Sequence, residues 1–163
     1  IVAIHALTDL KRGITLNVGL VSGGQSVNTV APACQFQIDL RYVELADRDE
    51  VVGKLHDIVA KSFVPGTKAK LVIKGEFLPL NATPASERVF ALYQGAATDS
   101  GLKVSGEFSG GCADSGFTAA IGAPTICAVG PVGGKAHSPE EYLEIDSMIP
   151  RAQAMARAFA AGA

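Results

Sequence analysis

The spacing of apolar residues changes period several times along the chain, and each change marks a predicted element. Ile1, Ile4 and Leu7 repeat at helical spacing until Lys11-Arg12-Gly13, so a helix is predicted over residues 1–10. From Ile14 to Val21, Ile, Leu and Val alternate with Thr, Asn and Gly, which predicts a strand. Ser22-Gly23-Gly24-Gln25-Ser26 reads as a turn. Residues 27–43 then read as one long extended run, with Phe36, Ile38 and Leu40 on one face and Gln35, Gln37, Asp39 and Arg41 on the other. The two runs fit a β-hairpin or an edge pair of a larger sheet. Asp47-Arg48-Asp49-Glu50 opens a helix whose apolar stripe is Val51, Val52, Leu55, Ile58, Val59 and Phe63, and Pro65-Gly66 ends it.

Residues 70–74 alternate again and predict a further strand, whereas residues 75–84 have no period and contain Pro79 and Pro84. A proline-bearing stretch without a period suits a domain crossing, which predicts one domain over 1–78 and a second over 79–163. Beyond it the pattern predicts a helix over 86–100, a strand over 103–108 and a short helix over 115–121. A buried parallel strand at 125–129 and a final helix over 145–161, with Pro150 in its first turn, complete the pattern. The fold class is α/β. Residues 1–74 give the order of a ferredoxin-like βαββαβ unit without its first strand, and the remainder gives the C-terminal part of a doubly wound sheet.

Composition narrows the function. With 48% hydrophobic residues the chain can bury a core, and a net charge of −2 without a basic block argues against a nucleic-acid surface. No apolar run reaches the roughly 20 residues of a membrane span. A soluble protein of the cytoplasm or periplasm is expected, with no membrane partner. Three cysteines without CxxC spacing, Cys34, Cys112 and Cys127, provide neither a disulfide framework nor a cysteine zinc site.

The chemistry-bearing stretch runs from Ser109 to Tyr142. Gly110-Gly111-Cys112-Ala113-Asp114 is a glycine turn leading to an acid, and the lack of a following Lys-Ser/Thr separates it from a phosphate loop. Gly130-Pro131-Val132-Gly133-Gly134 follows the predicted strand and delivers His137. Ligands gather beyond the carboxyl ends of strands in open α/β sheets, so that loop is suited to a site. A solvated loop histidine is the competing reading for His137. The competing readings for Arg41, Asn28 and Asp114 are a cross-strand ion pair, a turn former and a helix cap.

In register, these segments resemble the M20 zinc metallopeptidases, which include glutamate carboxypeptidases, acetylornithine and succinyl-diaminopimelate deacylases and aminoacylases. The resemblance rests on Ser22-Gly23-Gly24, Asn28-Thr29-Val30-Ala31-Pro32, Asp39-Leu40-Arg41, Gly110 to Asp114, Gly130 to Gly134 and Ala136 to Tyr142. It implies a zinc-dependent hydrolase that cleaves an amide bond next to a carboxylate, using two zinc ions, with a small peptide or N-acyl amino acid as substrate. His137 matches a metal ligand. Asn28, Arg41, Gly111, Cys112 and Asp114 match substrate-binding positions, Arg41 with a planar fork for a carboxylate and Asn28 with an amide donor for an oxyanion. Glu141 matches an acid that supports the histidine.

The departures carry expectations of their own. Cys112-Ala113 stands where the family often has a hydroxyl, and Glu76-Phe77-Leu78-Pro79 offers no arginine where glutamate carboxypeptidases place one. The family's other zinc ligands, its general base and a lid histidine correspond to positions upstream of residue 1. No catalytic residue is therefore expected within the chain, and a missing N-terminal half is the expected partner. A homodimer through the lid domain is the second expected partner, formed with an edge strand and the helix over 47–63. The alternative is a non-catalytic dimerisation or ligand-binding module.

Overall fold

The computed structural model describes residues 1–162 and divides into two compact units, the first over Ile1–Pro79 and the second from Leu80 onward. The first holds α1 (Val2–His5), β1 (Thr15–Gly23), β2 (Cys34–Arg41) and α2 (Leu45–Ala60). β1 and β2 form an antiparallel pair, with Leu16 opposite Leu40 and Val18 opposite Ile38. Those four side chains share a face because side chains alternate along a strand. They pack with buried Ile4, Ile14, Val51 and Leu55 into one apolar core under α2.

The register shifts between Val18 and Leu20, so that Leu20 faces Gln37 and Val21 faces Phe36. Gly19 is the extra residue of a bulge, and one extra residue exchanges the faces of everything beyond it. The even-numbered apolar face of β1 thus becomes odd-numbered past Gly19. Val21 and Phe36 share a face at the far end of the hairpin, where both remain exposed.

Several predicted elements are shorter or different. The helix predicted over 1–10 spans only Val2–His5, and a turn closed by Asp9 follows. The Asp9 side chain accepts from the Lys11 and Arg12 amides, and its backbone bridges Ile14. The extended run predicted over 27–43 enters the ladder only at Cys34, since Pro32 has no N–H to donate and Ser26 to Thr29 fold into a local hydroxyl-bonded turn. The strand predicted at 70–74 forms no ladder. Residues 67–83 carry neither helix nor strand, although Leu71 still packs on the core.

The second unit contains α3 (Pro84–Asp99), α4 (Ser115–Ala120), β3 (Gly133–Gly134), β4 (Tyr142–Leu143), a 3-10 turn at Ile145–Ser147 and α5 (Met148–Gly162). Thr83 starts α3 with a reciprocal cap: its hydroxyl accepts from the Ser86 amide at 3.1 Å while Ser86 Oγ accepts from the Thr83 amide at 2.8 Å. α3 packs on α5, where Ala97 and Ala154 are both 0% exposed. Residues this small bring the helix backbones close. Tyr93 completes that core, with Leu102, Val104, Ile126, Val129 and Ala158 against it.

Residues 103–108 and 125–129, predicted as strands, run through this unit without ladder pairing. Val104, Ile126 and Val129 pack on the core between α3 and α5 while Phe108 stays exposed, and Ala128 takes a left-handed φ of 57°, which no regular strand contains. A strand exists only with a neighbour, and among the described residues these segments find none. The described residues form a mixed α and β structure with two small antiparallel sheets.

Candidate functional site

In the first unit, Arg41 ends β2 opposite Thr15, and its Nε donates to Asp39 Oδ2 at 2.8 Å. Asn28 lies in the connection between β1 and β2, where its Oδ1 accepts from Ser26 Oγ at 2.8 Å. That connection leaves the ladder at Gly23 and returns at Cys34. Cys34 and Arg41 are the two ends of β2, about 23 Å apart at roughly 3.3 Å per residue. Arg41 therefore stands at the open end of the hairpin and Asn28 in the connection at its closed end. Both are exposed, so both can reach a ligand from outside the unit.

Beside Arg41 lies a grouping that sequence reasoning did not find. Tyr42 Oη donates to Glu76 Oε1 at 2.6 Å and lies 3.1 Å from the Phe77 carbonyl oxygen. Arg48 Nε and Nη2 donate to the two oxygens of the same carboxylate at 2.7 and 3.0 Å. Such a two-pronged pair fixes both direction and distance. It holds the Glu76 carboxyl below its usual range, through Arg48 first and Tyr42 second. Burial, and then the Glu76 contact, push the Tyr42 phenol up to about 12. Residues 34 positions apart leave no periodic signal, so only the fold reveals the grouping.

A second network joins Arg12 to Asp47 and Glu50, with Lys54 on Glu50 one helical turn later. Arg12 first, then Lys54, lower the Glu50 carboxyl from an ordinary 4.5 to about 2. This network pins the turn before β1 onto the first turns of α2.

In the second unit, β3 and β4 pair Gly133 with Leu143 and Gly134 with Tyr142, closing a loop of residues 135–141 that carries His137. Gly133 is required here, since a Cβ on it would lie 2.6 Å from the Tyr142 carbonyl oxygen; one on Gly134 would lie 2.8 Å from the exposed Tyr142 ring, which can turn aside. Lys135 and His137 both have left-handed φ, 56° and 65°, each costing of order 1–3 kcal/mol for a residue with a Cβ. The loop offsets that cost internally. Ser138 Oγ donates to the Lys135 carbonyl at 2.7 Å, and the His137 amide donates to Glu141 Oε2 at 3.2 Å. Glu141 thus supports the His137 backbone, and the imidazole is presented to solvent.

The remaining predicted residues line one turn. The Gly111 amide donates to Ser109 Oγ at 3.1 Å, Cys112 is an exposed free thiol, and Asp114 occupies the position before α4 without a side-chain capping bond. Among the described residues no group of three or more His, Cys, Asp and Glu side chains could hold a metal ion. One imidazole does not make a zinc site, which takes three or four protein ligands, so the donors present do not by themselves fit the implied metal. No helix of the described residues is long and apolar enough to cross a membrane.

Residues 1–67 match the family model of the peptidase dimerisation domain, M20_dimer. No curated protein matches the chain.

Proposed function

We propose that the chain serves a zinc-dependent exopeptidase or N-acyl-amino-acid amidohydrolase that hydrolyses an amide bond next to a carboxylate, since residues 1–67 match the dimerisation domain of M20-family peptidases. The match over residues 1–67 carries this reading, and the presentation of His137 by a closed, glycine-dependent loop supports it. His137 then contributes one metal ligand, and the other ligands and the general base come from sequence outside residues 1–163. Arg41 supplies a forked cation for the substrate carboxylate and Asn28 an amide donor for the scissile carbonyl oxygen. Gly111, Cys112 and Asp114 shape the pocket around the substrate. The assembly proposed is a homodimer through the first unit.

In the complete enzyme, His137→Ala should abolish hydrolysis and lower the zinc content measured by atomic emission. Full activity with unchanged zinc would remove His137 from the metal site. Arg41→Lys keeps the charge and loses the fork, so the KM for carboxylate substrates should rise at least about tenfold. Unchanged kinetics would remove Arg41 from the substrate site.

A second reading, a dimerisation or ligand-binding module without catalysis, is favoured by the lack of a complete metal-ligand group among the described residues. Calorimetric titration of zinc into the 163-residue chain separates the two. The hydrolase reading expects weak binding that His137→Ala removes, and the module reading expects no difference between parent and variant.

A further inference from the structure

Residues 67–83 have neither helix nor strand, so no ladder of backbone bonds holds them. Two fixings on the first unit are separated by a few residues. Leu71 packs on the apolar core, and at residue 76 the carboxylate receives Tyr42 Oη and both prongs of Arg48. Tyr42 follows directly on Arg41 at the end of β2, and Arg48 lies in the first turn of α2. Two separate stretches therefore converge on a carboxylate carried by a third, three residues before the boundary of the unit at Pro79.

The pair is partly shielded from water, with side-chain exposures of 25% for Arg48 and 31% for Glu76, so solvent screens it less than an open surface pair. Arg48 also holds Asp49 at 2.8 Å, while Tyr42 adds a neutral donor to the same Glu76 oxygen. Val72 and Ile73, between the two fixings, are 62% and 54% exposed and contribute little packing. Polar contacts at residue 76 thus do for this strap what ladder bonds do for a strand.

We propose that Tyr42, Arg48 and Glu76 form a latch that fastens the strap of residues 72–79 to the end of β2 and the start of α2, and that opening the latch releases the strap while the hairpin and α2 stay folded. The latch sets where the chain leaves the first unit and braces the residue next to Arg41. It acts by positioning and touches no substrate.

Lys74 lies inside the strap and is exposed, so trypsin reads the latch directly. Proteolysis of a locally opened segment follows the population of the open form. In the full chain, Glu76→Ala should raise cleavage after Lys74 by about 10- to 100-fold, the scale of hydrogen bonds to a charged group. Cleavage after Lys54 in α2 should stay at the parent rate. Tyr42→Phe, which keeps the ring and removes one donor, should give a smaller rise at the same bond and carries the test even where Glu76→Ala folds poorly. Unchanged cleavage after Lys74 in Tyr42→Phe and Glu76→Ala would overturn the latch. So would a parallel rise after Lys54 and Lys74, which would make the cluster a general stabiliser of the unit.

Discussion

The two units solve the same problem, burying enough apolar surface, with different residues. The first fills the space between a hairpin and a helix with branched and long side chains: Ile4, Ile14, Leu16, Val51 and Leu55. The second brings α3 and α5 into contact at Ala97 and Ala154 and adds a single large group, Tyr93, whose hydroxyl donates to the Val129 carbonyl and accepts from Arg151 Nη1. A core of large side chains is most sensitive to deletion, whereas close backbone contact at alanine is most sensitive to insertion. Charge is distributed differently as well. Arg12, Asp47, Glu50 and Lys54 form one continuous network and Arg48, Asp49 and Glu76 a second in the first unit. In the second unit, Lys135 with Glu140 braces the loop that carries His137. The first unit spends its side chains on holding elements together, and the second leaves more of its irregular backbone to display them.

The largest expected effect breaks the first core. Ile14→Ala removes a side chain only 1% exposed from between β1 and α2 and should destabilise the first unit by about 2–5 kcal/mol. Hydrogen exchange followed by mass spectrometry should show faster exchange over residues 45–60 and unchanged exchange over 84–99. Equal acceleration in both helices would show that the units do not unfold separately.

A smaller effect is expected from the cap of the second unit. Thr83→Ala removes the hydroxyl that accepts the Ser86 amide and should cost about 1 kcal/mol, read as a lower denaturation midpoint with fraying confined to the start of α3. An unchanged midpoint would mean that Ser86 alone holds that turn.

The smallest effect sharpens the difference in charge. Glu50 has its folded value depressed from 4.5 to about 2, so its contribution is present above 4.5 and is lost as pH falls toward 2. The parent should lose stability through that window more steeply than Glu50→Gln, in which the group no longer titrates. Identical pH profiles would show that Arg12 is satisfied by Asp47 without Glu50. Because the network is solvent-facing, the difference should shrink in high salt.

Periodicity made the strongest elements legible. Val51 and Leu55 face the core as the helical stripe from residue 51 onward requires, and of the two pairings that the alternation around Gly23-Gly24 allowed, the hairpin is the one formed. The helix expected over 86–100 is present, but Pro84, read as part of the domain crossing, is its first residue and Thr83 its cap, while the glycines before His137 announce a tight loop. Three predicted strands failed for a common reason. Residues 70–74, 103–108 and 125–129 have strand-like composition, but a strand also needs a partner at hydrogen-bonding distance, and composition does not supply one. Of the candidate site residues, Asn28 and Arg41 are as legible as their motifs, yet nothing in those motifs places them at the two ends of one hairpin.

By itself, the order of residues determined the element types with long, regular periods, the glycines that close the 135–141 loop and the match of residues 1–67 to the peptidase dimerisation domain. These are properties of neighbours within a turn or a strand, or of motifs read in order, so local chemistry suffices to specify them. Tertiary structure alone decided that Gly19 would bulge and exchange the faces of β1, that Ala154 would become fully buried, and that Tyr42 and Arg48 would meet on the Glu76 carboxylate. Each of these depends on a partner distant in sequence. A pairing of that kind exists only after the chain has closed the loop between its members, so no local pattern records it.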